Sequence, residues 1–139
     1  APAGDVYQAG TLSGNPVAVA AGLATLAKLD AVAYEQLAAT TARLARGLRE
    51  AAASAGVDVF VTESCGLLTV FFGPDEPHDF AAASACDRER HAAWCRSLLE
   101  HGVFPPASQF EAWFPSLVHG EEEIEQTLAS AANAFAAIA

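Results

Sequence analysis

The sequence predicts an α+β fold, a small and mainly antiparallel sheet covered by helices. Two runs rich in β-branched and aromatic residues, 57–62 and 67–72, flank the short turn Glu63-Ser64-Cys65-Gly66, which is the signature of a hairpin. Segments with helical periodicity lie before and after that hairpin, each bounded by a capping residue or a glycine. The expected order is helix, helix, strand, strand, helix, strand, helix, and 139 residues are enough to bury a real core in one domain.

Residues 1–5 read as a loose lead-in to Gln8-Ala9-Gly10-Thr11-Leu12-Ser13-Gly14-Asn15-Pro16, the stretch that organises the first part of the chain. Gly10 and Gly14 allow backbone shapes closed to other residues. Asn15 can cap a helix over about 17–28, and Pro16 suits its first position. The Thr11 and Ser13 hydroxyls beside a positively polarised helix start suit an anion such as phosphate, although ordinary capping uses the same residues. The helix has a small stripe of Ala18, Ala21, Gly22 and Thr25, suited either to a domain or subunit contact or to packing within its own domain.

Asp30 can cap a second helix over about 31–55, ended by Gly56. Leu37, Thr41, Leu44 and Leu48 recur at helical spacing on its core side, and Arg43, Arg46 and Arg49 fall on the other, a solvated face. After the hairpin, Gly73-Pro74-Asp75-Glu76-Pro77 breaks the chain, and 77–85 is a loop with room for a short helical turn. Asp87 can cap a helix over about 88–101, stopped by Gly102. Val103-Phe104 reads as a short strand before Pro105-Pro106, and 110–117 as an extended stretch that Pro115 confines to an edge. The last helix, about 121–137, opens on glutamates where its dipole favours them and buries Ile124, Leu128, Ala131, Phe135 and Ile138.

Apolar residues make up 53% of the chain, but so many are alanine that the helices should pack closely rather than around large side chains. The net charge of −10, with no Lys or Arg after Arg96, argues against nucleic acid or an anionic membrane surface as a partner. The uncharged run over 6–27 is too polar and too broken for a transmembrane helix, and no basic segment leads into a signal-peptide core. Three cysteines without a C-x-x-C pair fit free thiols in a reducing cytoplasm.

Cys86, His91, Cys95 and His101 lack the tight ligand pairs of a zinc site, so no metal is expected; buried thiols and partly exposed histidines are. Ser64-Cys65-Gly66 has no base placed beside it for nucleophilic work. His119 precedes the last helix, where it can cap it or point to solvent. Glu111 sits in Gln109-Phe110-Glu111-Ala112-Trp113-Phe114, where burial would raise a carboxylate's pKa, though an exposed place on an alternating strand fits as well. Lys28, the only lysine, reads as a cation at a helix C-terminus.

Tyr7 to Pro16 resembles the stretch that opens the C-terminal part of the glutamate-1-semialdehyde 2,1-aminomutases, within the class III, fold-type I aminotransferases that use pyridoxal phosphate. The resemblance continues, in the same order, through Ala85-Cys86-Asp87, Glu100-His101-Gly102-Val103, Pro106-Ala107-Ser108-Gln109-Phe110-Glu111-Ala112 and Val118-His119, and so covers essentially all of the chain. It implies the C-terminal domain of a fold-type I enzyme, with 1–29 as organising loop and interdomain helix and 30–139 as the small α+β domain. The activity implied is the intramolecular aminotransfer that turns glutamate-1-semialdehyde into 5-aminolevulinate for tetrapyrrole (porphyrin) synthesis, in a cytoplasmic homodimer acting on a small molecule. It also implies that Gly10 and Thr11 meet the phosphate of the neighbouring subunit's cofactor, and that Glu111 lies near the cofactor lysine and substrate. Lys28 lacks the glycine-rich surroundings of that lysine, so this chain alone is expected to hold no pyridoxal phosphate covalently and to be inactive. Two other readings stand beside it: part of another class III ω-aminotransferase, or a stand-alone, non-catalytic interaction domain.

Overall fold

The first helix begins where Asn15 and Pro16 place it. In a computed structural model of the chain, describing residues 4–5 and 9–139, helix α1 (Pro16–Leu26) starts with the Asn15 Oδ1 accepting from the N–H groups of Val17 and Ala18, at 3.0 and 3.2 Å. Tyr7 and Gln8, which open the loop motif, and most of the expected lead-in lie outside the described residues. None of the residues of α1 is buried. Contacts divide the chain into two units, Ala1–Ala33 and Tyr34–Ala139.

Helix α2 (Ala31–Ser54) opens on Asp30, whose carboxylate accepts from the Ala33 N–H at 2.9 Å, and Gly56 closes it at φ +69°. In the second unit α2 runs into an antiparallel hairpin of β1 (Val59–Ser64) and β2 (Leu67–Phe72), paired from Val59–Phe72 to Ser64–Leu67. The strands therefore run on to a two-residue turn, Cys65-Gly66, two residues beyond the expected end of the first. Gly66 takes φ +81°, and its N–H donates to the buried Thr41 hydroxyl of α2 at 3.2 Å, which ties the turn to the helix. Three further helices follow: α3 (Phe80–Ala85), α4 (Arg88–Glu100), capped by Asp87, and α5 (Glu121–Ile138).

The fold is thus the expected small antiparallel sheet with helices, but its third strand does not form. Residues 103–104 are irregular, and of 110–117 only Trp113 pairs with the sheet. Its N–H donates to the Leu68 carbonyl at 2.7 Å and its carbonyl accepts from the Leu68 N–H at 3.2 Å. Pro105, Pro106 and Pro115 cannot donate to a ladder, so pairing stops at that one bridge.

The core is also unlike the alanine packing expected. Leu68, Val70 and Phe72 line the inner face of β2, and Trp94 of α4 stacks on Phe135 of α5 and on Trp113, with ring centres 5.0 and 5.7 Å apart. Between α2 and α5 a small residue matters: a Cβ added at Gly47 would stand 2.5 Å from the Leu128 side chain. Nor is the arginine face of α2 simply solvated. Arg43 forms ion pairs with Glu121, at 2.6 Å, and with Glu125, and Arg49 donates to the Val61 carbonyl and reaches Glu63, whereas Arg46 is exposed. Among the described residues no single helix is long and apolar enough to cross a membrane.

Candidate functional site

The residues of interest fall in two places, one in each unit. In the first, Gly10 to Asn15 form a tight turn: the Ser13 N–H donates to the Gly10 carbonyl at 3.1 Å and the Asn15 N–H to the Leu12 carbonyl at 3.0 Å. Gly14 holds φ +76°, which favours glycine there, and a Cβ at Gly10 would come within 2.8 Å of Ser13 Oγ, which would have to turn aside. Capping consumes the first donors of α1, because Asn15 takes the N–H groups of Val17 and Ala18. An anion here would be met by the exposed hydroxyls of Thr11 and Ser13 rather than by the helix end. That small turn with two exposed hydroxyls has the donors a phosphate group needs. Lys28, exposed just beyond α1, stands where a helix C-terminus favours a cation.

In the second unit an open cleft of about 840 Å³ lies between the irregular segments 102–107 and 111–115 and the first turns of α5. Glu111, His119 and Glu123, with Gln126 and Thr127, supply its charged and polar groups, among walls of Phe104, Trp113 and Phe114. Glu111 is exposed, the second of its two alternatives, and Phe110, Phe114 and Leu117 around it are exposed too. His119 neither caps α5 nor points away freely; its Nδ1 accepts from the Ser116 N–H at 2.9 Å and closes the turn before the helix. Glu123 reaches back to accept from the Gly120 N–H at 2.8 Å, so its carboxylate is committed to the start of α5.

Of the cysteines and histidines, only His91 and Cys95 come together. Among the described residues no group of three or more His, Cys, Asp or Glu is placed to hold a metal ion. Of the two thiols expected to be buried, Cys86 is only half-buried, while Cys95 is buried with its sulfur 3.7 Å from the His91 ring and donating to the Pro106 carbonyl at 3.6 Å; Cys65, in the hairpin turn, is exposed. Burial pushes the Cys95 thiol up to about 11, slightly opposed by the charge of Arg96, which leaves it a poor nucleophile. His91, expected to be partly exposed, is 3% exposed, and burial lowers its pKa from the ordinary value.

Sequence reasoning missed Gln109. It is 2% exposed, and its Nε2 donates to the Ala83 carbonyl of α3 at 2.8 Å. The only hint was a polar amide inside an aromatic run, which does not separate a buried anchor from a solvated loop residue.

Three solved structures share this architecture. A transaminase with pyridoxal phosphate bound matches with a TM-score of 0.76 and 26% identity over 96% of this chain and 30% of its own. The FumI protein of Sphingopyxis sp. MTA144, solved in its pyridoxal-phosphate internal aldimine form, matches with 0.73 and 25% over 96% and 30%. An ω-transaminase from Sphaerobacter thermophilus, 24% identical, shares the fold with a TM-score of 0.80 over 94% and 30%. The class is therefore that of a portion, just under a third, of a pyridoxal-phosphate transaminase chain. No protein-family model matches. Full-length relatives narrow the class: the glutamate-1-semialdehyde 2,1-aminomutase of Desulforudis audaxviator is 49% identical over 97% of this chain, and that of Deinococcus radiodurans 52% over 96%. These 139 residues are thus homologous, along nearly their whole length, to glutamate-1-semialdehyde 2,1-aminomutases. They span about a third of the length of those relatives, 32% and 31%.

Proposed function

We propose that the chain is the C-terminal part of a glutamate-1-semialdehyde 2,1-aminomutase, with 1–29 as organising loop and interdomain helix and 30–139 as the small domain. The whole protein would convert glutamate-1-semialdehyde to 5-aminolevulinate for tetrapyrrole synthesis, as a cytoplasmic homodimer. The observation that carries this reading is the 49–52% identity to named aminomutases along nearly the whole chain, against 24–26% to the transaminases of known structure. That gap favours the aminomutase over an ω-aminotransferase with separate donor and acceptor. The three free cysteines suit a reducing compartment.

Pyridoxal phosphate, when bound, supplies the electron sink through which an amino group leaves one carbon and returns to its neighbour. The part left to this chain is binding and positioning. The Thr11 hydroxyl would donate to the phosphate of the neighbouring subunit's cofactor, and Gly10, where a side chain would strike Ser13, keeps the turn tight. The exposed Glu111 carboxylate, on the open cleft, would face the cofactor lysine and the substrate, where it can accept a hydrogen bond from an ammonium group. The cofactor lysine itself would come from outside these residues.

The test is conversion of glutamate-1-semialdehyde by the full-length protein with no amino donor or acceptor added. Turnover under those conditions is the expected result, and a strict need for a separate acceptor would move the protein to the ω-aminotransferases. The 139-residue chain alone should show no turnover, and borohydride should leave no stoichiometric pyridoxyl adduct on Lys28.

A further inference from the structure

Glu111 stands midway between two anchors. Two residues before it, the buried Gln109 side chain donates to the Ala83 carbonyl in α3 at 2.8 Å. Two residues after it, the Trp113 backbone exchanges two hydrogen bonds with Leu68 of β2, at 2.7 and 3.2 Å. Between the anchors the backbone is irregular, and its local bonds run back to Ser108: the Glu111 N–H to the Ser108 carbonyl at 3.0 Å and the Phe110 N–H to its hydroxyl at 3.2 Å. Phe110 faces out, half-exposed, its ring tilted by 34° against that of the exposed Phe80 with centres 5.5 Å apart. The Gln109–Ala83 bond therefore fixes the near end of the arch that presents the Glu111 carboxylate to the cleft.

We infer that Gln109 is a positioning residue for Glu111, setting where its carboxylate stands in the cleft by pinning the arch to α3. The inference rests on the proposed site role of Glu111. A buried amide suits this task better than an apolar group. Its one donor bond has a direction as well as a length, so sliding of the arch along α3 breaks the bond instead of merely loosening contacts. The flanking prolines, Pro105 and Pro106, limit the ways the segment can rearrange when the pin is lost.

The pin can be checked first without a variant. In the wild-type 139-residue chain, the Gln109 side-chain amide protons should exchange with solvent far more slowly than those of an exposed glutamine, read by NMR. Fast exchange would end the inference there. In the full-length protein, Gln109→Met keeps the volume and removes the donor; kcat should fall by roughly tenfold to a hundredfold, the range a misplacement of about 1 Å produces. Bound pyridoxal phosphate, read by absorbance, should be unchanged. The decisive arm is a cycle with Glu111→Gln. If Gln109 acts through Glu111, adding Gln109→Met to Glu111→Gln costs nothing more, whereas full additivity shows a merely structural role and overturns the inference. A silent Glu111→Gln, with Gln109→Met still harmful, would instead sink the site role of Glu111 and leave the pin without its purpose.

Discussion

Helices α1 and α5 are both alanine-rich, yet α1 has no charged residue in eleven positions and α5 opens on three glutamates. In α5 the large apolar residues Ile124, Leu128, Phe135 and Ile138 share one stripe, and Ile124 and Phe135 are buried with Ala131 and Ala134. In α1 apolar residues occupy every side, and Val17, Leu23 and Leu26 stand 78%, 64% and 64% exposed. Burial thus follows the arrangement of apolar side chains rather than their number. A helix apolar all round is built to be enclosed. The proposed homodimer and interdomain role of 1–29 would supply that enclosure, and the small residues Ala18, Ala21 and Gly22 would let the covering backbone come near.

The sharpest way to break the comparison is to truncate one large side chain on each helix. Phe135→Ala removes a ring stacked 5.0 Å from Trp94 at the centre of the core, and should cost about 3–5 kcal/mol. Leu23→Ala in the 139-residue chain should change stability by no more than about 0.5 kcal/mol. Urea unfolding followed by the fluorescence of the core tryptophans measures both. In the full-length protein Leu23→Ala should become costly, and a loss as small there would show that α1 is not enclosed.

The same contrast explains what was legible in the sequence. Helices α1, α2 and α4 were found to within about two residues, because Asn15, Asp30, Gly56 and Asp87 act on their own neighbours, whereas the short α3, capped by Asp79, reads in the sequence as a loop with room for a turn. The strand at Val103-Phe104 was not, since its β-forming residues need a partner edge that Pro105 and Pro106 deny them. Arg43 was read as solvated because its partners Glu121 and Glu125 stand more than seventy positions away. At the candidate site, the turn of Gly10 and Thr11 was visible from the spacing of its residues and an exposed Glu111 was one of two alternatives, whereas the burial of Gln109 depends on packing against α3, which the chain's local pattern does not encode.

A smaller effect is expected in the exposed unit. Thr11→Val keeps the shape of the turn and removes one donor, so in the full-length protein it should lose a single charge-assisted hydrogen bond to phosphate, about 1.5–3 kcal/mol. That corresponds to a roughly tenfold to hundredfold weaker hold on the cofactor. Thr11→Ser should be much milder. Dissociation measured by absorbance in wild type and both variants tests this. Equal retention in all three would leave the turn with capping as its only task, the task Asn15 already performs.

The smallest effect belongs to the core and is a slope rather than a loss. His91 of α4 is buried with its ring edge-on to Phe72, 6.0 Å between centres, and beside the Cys95 thiol. Burial disfavours the imidazolium, so the folded pKa lies below that of the unfolded chain, about 6.5. Unfolding therefore takes up a proton below that pH. The contribution of His91 to stability is complete above pH about 6.5 and is lost progressively as pH falls through the folded value. Glu121, held low by its hydrogen bond and charge pairing with Arg43, acts in the same direction but in the acid range below its own unfolded pKa, so the two windows separate. His91→Phe keeps a ring against Phe72 and cannot titrate. Urea midpoints measured between pH 7 and about 5.5 should decline in wild type and stay flatter in His91→Phe. Identical slopes would mean that His91 titrates in the folded chain as it does in the unfolded one, and that the aromatic core admits water at its α4 side.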